Sequence, residues 1–110
     1  MITDLNYLKT MSGGDPAFIR EMIDLFREQI EEYKLEMPEL LRKKEYSSLS
    51  KMAHKAKSSV AVMGMTQVSD LLKELEVLAG EEKEVERYES MIEEFLSQSE
   101  LAIEELENEG

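Results

Sequence analysis

The chain has 110 residues, no cysteine, and 25 Asp and Glu residues against 13 Lys and Arg, for a formal net charge of −12. This length fits one domain with a modest core, so residues 1–110 are predicted to form a single domain. Without cysteine the chain cannot form disulfides, zinc fingers or a catalytic thiolate. The acidic surface argues against nucleic acid and anionic membranes, because their phosphates would repel it.

Targeting and membrane signals are absent from the sequence. No stretch approaches the roughly 20 apolar residues needed to span a bilayer. The N-terminus also lacks the basic-then-apolar pattern of a signal peptide. We therefore expect a soluble, cytoplasmic protein.

The first half of the chain carries clear helix signals. A short helix holding Leu5 and Leu8 is predicted before Gly13 and Gly14. Asp15 can cap the free N–H groups of a long second helix, and Pro16 fits its first position. Its apolar stripe stays in phase across Pro38, which favours a kink over a break. The stripe consists of Ile19, Met22, Ile23, Phe26, Ile30, Tyr33, Met37 and Leu41.

Three further helices are predicted in the second half. One runs from about Tyr46 to Met63 and ends at Gly64. Thr66 can cap the next, which stops near Gly80. The last carries apolar and small residues at alternating steps of three and four, namely Val85, Tyr88, Ile92, Phe95, Ser99, Ala102 and Leu106. The predicted fold is all-α, an antiparallel up-and-down four-helix bundle with a short N-terminal capping helix. All the stripes can be buried within one bundle, so we expect a monomer.

His54 is the only histidine, and it lies in a locally basic part of an acidic chain. Between Arg42 and Lys57 the one acid is Glu45, against six bases: Arg42, Lys43, Lys44, Lys51, Lys55 and Lys57. On a helical wheel His54 lies roughly 140–150° from the centre of the apolar face, which predicts that it points to solvent. An imidazole is a nucleophile near neutral pH, and Lys57 on nearly the same face could offset the charge of a phosphoryl group. A lone surface histidine is equally compatible with no function.

The residues around His54 are mostly small, which leaves a shallow surface where another protein could dock. Val62 and Met65 are expected near the exposed side or the following turn, where apolar groups would suit such contacts. The predicted docking residues are Ser50, Lys51, Lys55, Ala61, Val62 and Met65.

The segment from His54 to Met65, HKAKSSVAVMGM, resembles the signature of histidine-containing phosphotransfer (HPt) domains. That signature has a histidine, a lysine three positions later, small residues, and a glycine before the turn. The resemblance extends over nearly the whole chain, from Gly14-Asp15-Pro16 to the Leu75-Glu76 stretch. Many members have glycine where this chain has Ser58 and Ala61, and some have glutamine at the position of Glu76. A carboxylate there would disfavour phosphate if it lay close to the histidine.

The resemblance implies a role in a phosphorelay. His54 would accept a phosphoryl group from a receiver-domain aspartyl phosphate and pass it to another receiver aspartate. Lys57 would stabilise the phosphoryl group, and Ser58 could donate a hydrogen bond to it. The implied partners are response-regulator receiver domains and a hybrid sensor histidine kinase. No cofactor is expected on this chain, because Mg²⁺ would be bound by the receiver.

Two other functions remain open from the sequence. One is a non-catalytic interaction module that binds a partner without phosphotransfer. The other is the phosphoacceptor domain of a chemotaxis-type kinase, phosphorylated by a kinase acting in trans. The chain has no ATP-binding motif, so it cannot phosphorylate itself.

Overall fold

A computed structural model describes residues 3–109, apart from the side chains of Tyr7, Met11, Asn108 and Glu109. Within this range the chain forms helices and no strand, which confirms the all-α prediction. The helices are α1 (Asn6–Ser12), α2 (Pro16–Arg42), α3 (Tyr46–Val62), α4 (Thr66–Glu81) and α5 (Tyr88–Glu109), with one 3-10 turn, Val85–Arg87, before α5.

Helix α2 begins where the sequence predicts. The Asp15 side chain accepts a hydrogen bond of 3.0 Å from the Ala17 N–H, and Pro16 is the first helical residue. The helix continues through Pro38 to Arg42 without a break. The missing N–H of Pro38 therefore does not divide α2 into two helices.

The start of α4 differs from the prediction. Thr66 is the first helical residue instead of the cap, and Met65 occupies the N-cap position without a side-chain hydrogen bond. The Met65 N–H bonds to the Val60 carbonyl at 3.1 Å, which closes the turn tightly after Gly64. The Met65 side chain is only 1% exposed, because this tight turn directs it into the core. Both the Thr66 cap and the expected exposure of Met65 are therefore wrong.

The four long helices enclose one core. Helix α3 packs against α2 and α4, and α5 packs against the same two helices, so each long helix has two neighbours. The molecule measures 42 × 20 × 20 Å. Apolar side chains from all the helices meet inside; the largest fully buried ones are Tyr33, Tyr88, Phe26, Phe95, Leu8, Ile30, Met37, Leu49, Met63, Met65, Leu72 and Leu75.

The N-terminal segment crosses the turn between α3 and α4. The Asp4 N–H donates to the Met63 carbonyl at 2.9 Å. On the other side of the segment, Thr3 Oγ1 donates to Glu105 Oε1 at 2.7 Å, so the segment links this turn to α5. Gly64 lies directly beneath it with a φ of 71°. The crossing therefore depends on a residue that has no side chain and adopts a left-handed conformation.

The hydroxyl of Ser99 is a weak point of the core. Ser99 is completely buried on α5, and its Oγ has no hydrogen-bond partner among the described residues. We expect Ser99→Ala to raise the free energy of unfolding by about 1 kcal/mol, because it removes a buried polar group that lacks a partner. Urea denaturation would measure the change. Ser97→Ala is the matched control, since Ser97 is exposed on the same helix; a gain no larger than in this control would contradict the prediction.

Candidate functional site

His54 projects from α3 on the side away from the core. Its side chain is 62% exposed, whereas Leu49, Ala53, Ala56 and Val60 on the opposite face of the helix are completely buried. The outward direction predicted from the helical wheel is therefore confirmed. The imidazole is open to a reacting group on another protein.

Glu76 on α4 contacts the two side chains on α3 that the sequence assigns to phosphotransfer, His54 and Lys57. Its Oε2 lies 3.0 Å from His54 Nδ1, and its Oε1 lies 3.3 Å from Lys57 Nζ. One carboxylate therefore joins the histidine and the lysine into a three-residue cluster. Lys57 and Glu76 are 26% and 27% exposed, so the cluster is partly shielded from water.

Small residues bring α3 and α4 close enough for these contacts. Ser50 lies one helical turn before His54, and its Oγ donates to the Glu76 carbonyl at 2.7 Å. One turn beyond Glu76, Gly80 faces the same serine, and a Cβ on Gly80 would lie only 3.2 Å from Ser50 Oγ. The backbone of α4 is thus held against α3 at the level of the site. Glu76 is fixed opposite His54 as a result.

The charge of Glu76 determines which nitrogen of His54 is free. Partial burial by itself would raise the pKa of Glu76, but the hydrogen bond from Lys57 and the charges of His54 and Lys57 lower its pKa below the usual value. Glu76 is consequently ionised at neutral pH and acts only as an acceptor. In the neutral ring the proton then lies on Nδ1, where it is donated to Glu76. The lone pair is left on Nε2, the ring nitrogen that does not contact Glu76.

The remaining predicted site residues surround this cluster on α3. Lys51, Lys55, Ser58 and Ala61 are exposed, and the side chains of Ser50 and Val62 are half-buried. Ser50 is engaged with α4, as described above. Met65 is buried and cannot contribute an exposed apolar contact.

An apolar groove of about 200 Å³ lies between α2 and α3 next to these residues. Leu25 on α2 is 44% exposed at this groove, and Val62 and Ser58 line it from α3. The sequence interpretation did not include the α2 side of the surface. Leu25 offered a signal, because it is a large apolar residue that lies off the buried stripe of α2.

Metal binding and membrane insertion find no support in the described part of the chain. No group of three or more His, Cys, Asp or Glu side chains there could hold a metal ion. In the same residues, no helix is both long and apolar enough to cross a bilayer.

A known family model matches most of the chain. The family model of the Hpt domain matches residues 21–109, which include α3, α4 and the whole His54 cluster. Searches among curated proteins and among solved structures found no match. The family match covers most of the chain, and the chain therefore belongs to the Hpt domain family, whose members perform histidine phosphotransfer in phosphorelays together with response-regulator receiver domains and kinases.

Proposed function

We propose that this protein is a phosphocarrier between receiver domains. His54 would accept a phosphoryl group from the aspartyl phosphate of one receiver and donate it to an aspartate of another. The observation that carries this proposal is the contact between His54 Nδ1 and Glu76, because it leaves Nε2 free on an exposed imidazole. The family match supports the phosphotransfer chemistry.

The proposed step needs no proton transfer at the reacting nitrogen. The Nε2 lone pair attacks phosphorus, the bond to the aspartyl oxygen breaks, and the receiver aspartate leaves with the electron pair as a carboxylate. The ring becomes positively charged, with its proton still on Nδ1 beside Glu76. The carboxylate stabilises this charge, and transfer to a second receiver reverses the same sequence. The chain contributes chiefly position and charge, as phosphoryl transfer generally requires.

In this proposal Lys57 has two successive partners. In the free protein its ammonium group contacts Glu76 at 3.3 Å. The arrival of a phosphoryl group on His54 would bring a second anion to the same surface, and Lys57 would then stabilise it. Ser58, exposed one turn after His54, would add a hydrogen bond to the phosphoryl oxygens. Mg²⁺ would come with the receiver and would leave with it.

The proposed receiver contact combines charge with apolar packing. Lys51 and Lys55 are exposed beside His54 in an otherwise acidic protein, which suits the acidic surroundings of a receiver aspartate. Ala61 is small enough for close approach, and Val62 continues into the groove that Leu25 lines on α2. An apolar side chain of the receiver would occupy that groove.

We further infer an antiparallel up-and-down order for the long helices. Two ion pairs between α2 and α5 support it: Arg27 contacts Glu107, while Lys34, further along α2, contacts Glu100, earlier in α5. The same reversal occurs between α3 and α4, where Lys57 contacts Glu76 and Ser50 lies beside Gly80. We also propose that the domain acts as a cytoplasmic monomer.

The decisive test mixes the protein with a panel of phosphorylated receiver domains. We expect label on the protein from at least one receiver, stable in base and labile in acid, as phosphohistidine is. Adding an unphosphorylated second receiver should then remove the label. Label that appears only with a histidine kinase and ATP would favour the chemotaxis-type alternative, and stable binding without any label would favour the interaction module.

Glu76 provides a second, sharper test of the chemistry. We expect Glu76→Ala to slow phosphoryl acceptance on the order of ten- to a hundredfold, the size of the loss when the partner that orients a metal-binding histidine is removed. Glu76→Gln should lose less of the rate than Glu76→Ala, because its amide oxygen can still accept the Nδ1–H bond although its negative charge is gone. Lys57, which contacts the same carboxylate at 3.3 Å, offsets part of the repulsion between Glu76 and the incoming phosphoryl group.

Single-turnover transfer from one receiver, measured at a fixed concentration of Mg²⁺, would give these rates. Glu74→Ala is the matched control, because Glu74 is an exposed carboxylate on the same helix that pairs with Arg87 instead of the site. If Glu76→Ala and Glu74→Ala reacted at the wild-type rate, Glu76 would have no part in orienting His54.

A further inference from the structure

A second groove lies at the end of the bundle where α1, α2 and α5 meet, and we call it the α1–α2–α5 groove. Its volume is about 300 Å³, larger than that of the groove beside Val62. The lining residues are Leu5, Lys9, Gly14, Pro16, Ile19, Arg20, Ile23 and Leu106. None of them belongs to the His54 cluster or to its proposed receiver contact.

The lining separates into an apolar interior and a cationic edge. Ile23 and Leu106 are 4% and 1% exposed and form the interior, while Leu5 and Ile19 are half-buried. Lys9 and Arg20 are exposed and therefore lie at the edge. Among the described residues the lining includes no carboxylate, although the whole chain carries a net charge of −12. The groove thus offers apolar contact and positive charge together.

The two cations are available to different degrees. No carboxylate of the described side chains lies within ion-pairing distance of Lys9. Arg20 contacts Asp24 through Nε at 3.4 Å, so part of its charge is already offset. Among the described side chains, Lys9 therefore presents an unpaired ammonium and Arg20 a guanidinium shared with Asp24, and both can donate to a carboxylate.

We propose that the α1–α2–α5 groove binds a carboxylate that carries an apolar chain, as in a medium-chain fatty acid. The chain would contact Leu5 and Ile19, the half-buried apolar residues of the lining, and the carboxylate would lie between Lys9 and Arg20. A volume of about 300 Å³ is at the lower end for small-molecule pockets and holds roughly eight to ten carbon atoms. The binding site is separate from His54, and it does not depend on the proposed phosphotransfer.

Titration with decanoate, below its micelle concentration and followed by amide NMR shifts, tests the proposal. We expect saturable shifts at residues lining the groove. Acetate has the charge without the chain, decanol has the chain without the charge, and decyltrimethylammonium has the opposite charge. Each should bind at least about tenfold more weakly than decanoate, because each loses one of the two interactions. Equal binding of decanol and decanoate would overturn the proposal.

Substitutions of Lys9 and Arg20 test whether these two side chains bind the carboxylate. Lys9→Gln combined with Arg20→Gln should weaken decanoate at least about tenfold and leave decanol unchanged. Lys73→Gln combined with Lys83→Gln removes the same charge from exposed positions on and after α4 and should have no effect. If both double variants lost decanoate binding, the net charge of the protein would explain the effect and the proposal would be overturned. The proposal would also be overturned if the protein self-associated in sedimentation experiments and the Lys9 and Arg20 substitutions abolished that self-association. A second copy of the chain would then fill the groove.

Discussion

The variant His54→Gln is expected to accept no measurable phosphoryl group from any receiver that labels the wild type. Glutamine keeps a polar side chain of similar reach but has no ring nitrogen with a nucleophilic lone pair. Folding should be retained, because the side chain is 62% exposed and its contact with Glu76 lies at the surface. We expect the free energy of unfolding to change by less than about 1 kcal/mol.

Phosphotransfer assays and thermal melts on the same preparation would check both parts of this prediction. Lys83→Gln is the matched control, since Lys83 is exposed after α4 and lies outside both the His54 cluster and the proposed receiver contact. It should remain labelled. Label that persists on His54→Gln would place the phosphoryl group on another residue and would remove the basis of the proposed relay.

Gly64→Ala is expected to destabilise the whole bundle by about 2–4 kcal/mol, because two unfavourable effects act at one position. The φ of 71° is a conformation that alanine adopts only with strain. An added Cβ would also lie 2.6 Å from the backbone nitrogen of Asp4, so the N-terminal segment would have to move. Its hydrogen bond to Met63 would then be weakened or lost.

Chemical denaturation measures this loss, and Gly14→Ala separates its two causes. Gly14 has a φ of 85°, but a Cβ there would meet nothing within 4 Å. Gly14→Ala should therefore lose only about 1–2 kcal/mol from backbone strain. Equal losses in the two variants would mean that the N-terminal segment does not press on Gly64.

The sequence predicts the helices and the direction of His54 because both depend on local periodicity. The stripe on α2 and the cap at Asp15 follow from residues within one or two turns of each other, and both are confirmed. The wheel of α3 likewise needs only the spacing of its own apolar residues. The Hpt match confirms the family suggested by the segment that follows His54.

The features that sequence analysis missed depend on how separate segments fit together. Thr66 is a residue type that commonly caps helices, yet the tight turn at Gly64 places Met65 at the N-cap of α4 and directs that side chain into the core. The contact between Glu76 and His54 requires the register between α3 and α4. That register depends on the fit of Ser50 against Gly80, which no periodicity within one helix can reveal.

The three residues of the His54 cluster all come from two consecutive helices, joined by residues 63–65. Closing so short a connection costs little chain entropy, whereas pairing α2 with α5 brings together segments far apart in the chain. Fluctuations that open α5 therefore leave the spacing between His54 and Glu76 largely unchanged. Mutations in α5, and in α2 away from the groove at Leu25, are consequently expected to change the stability of the domain with little effect on the rate at which His54 reacts.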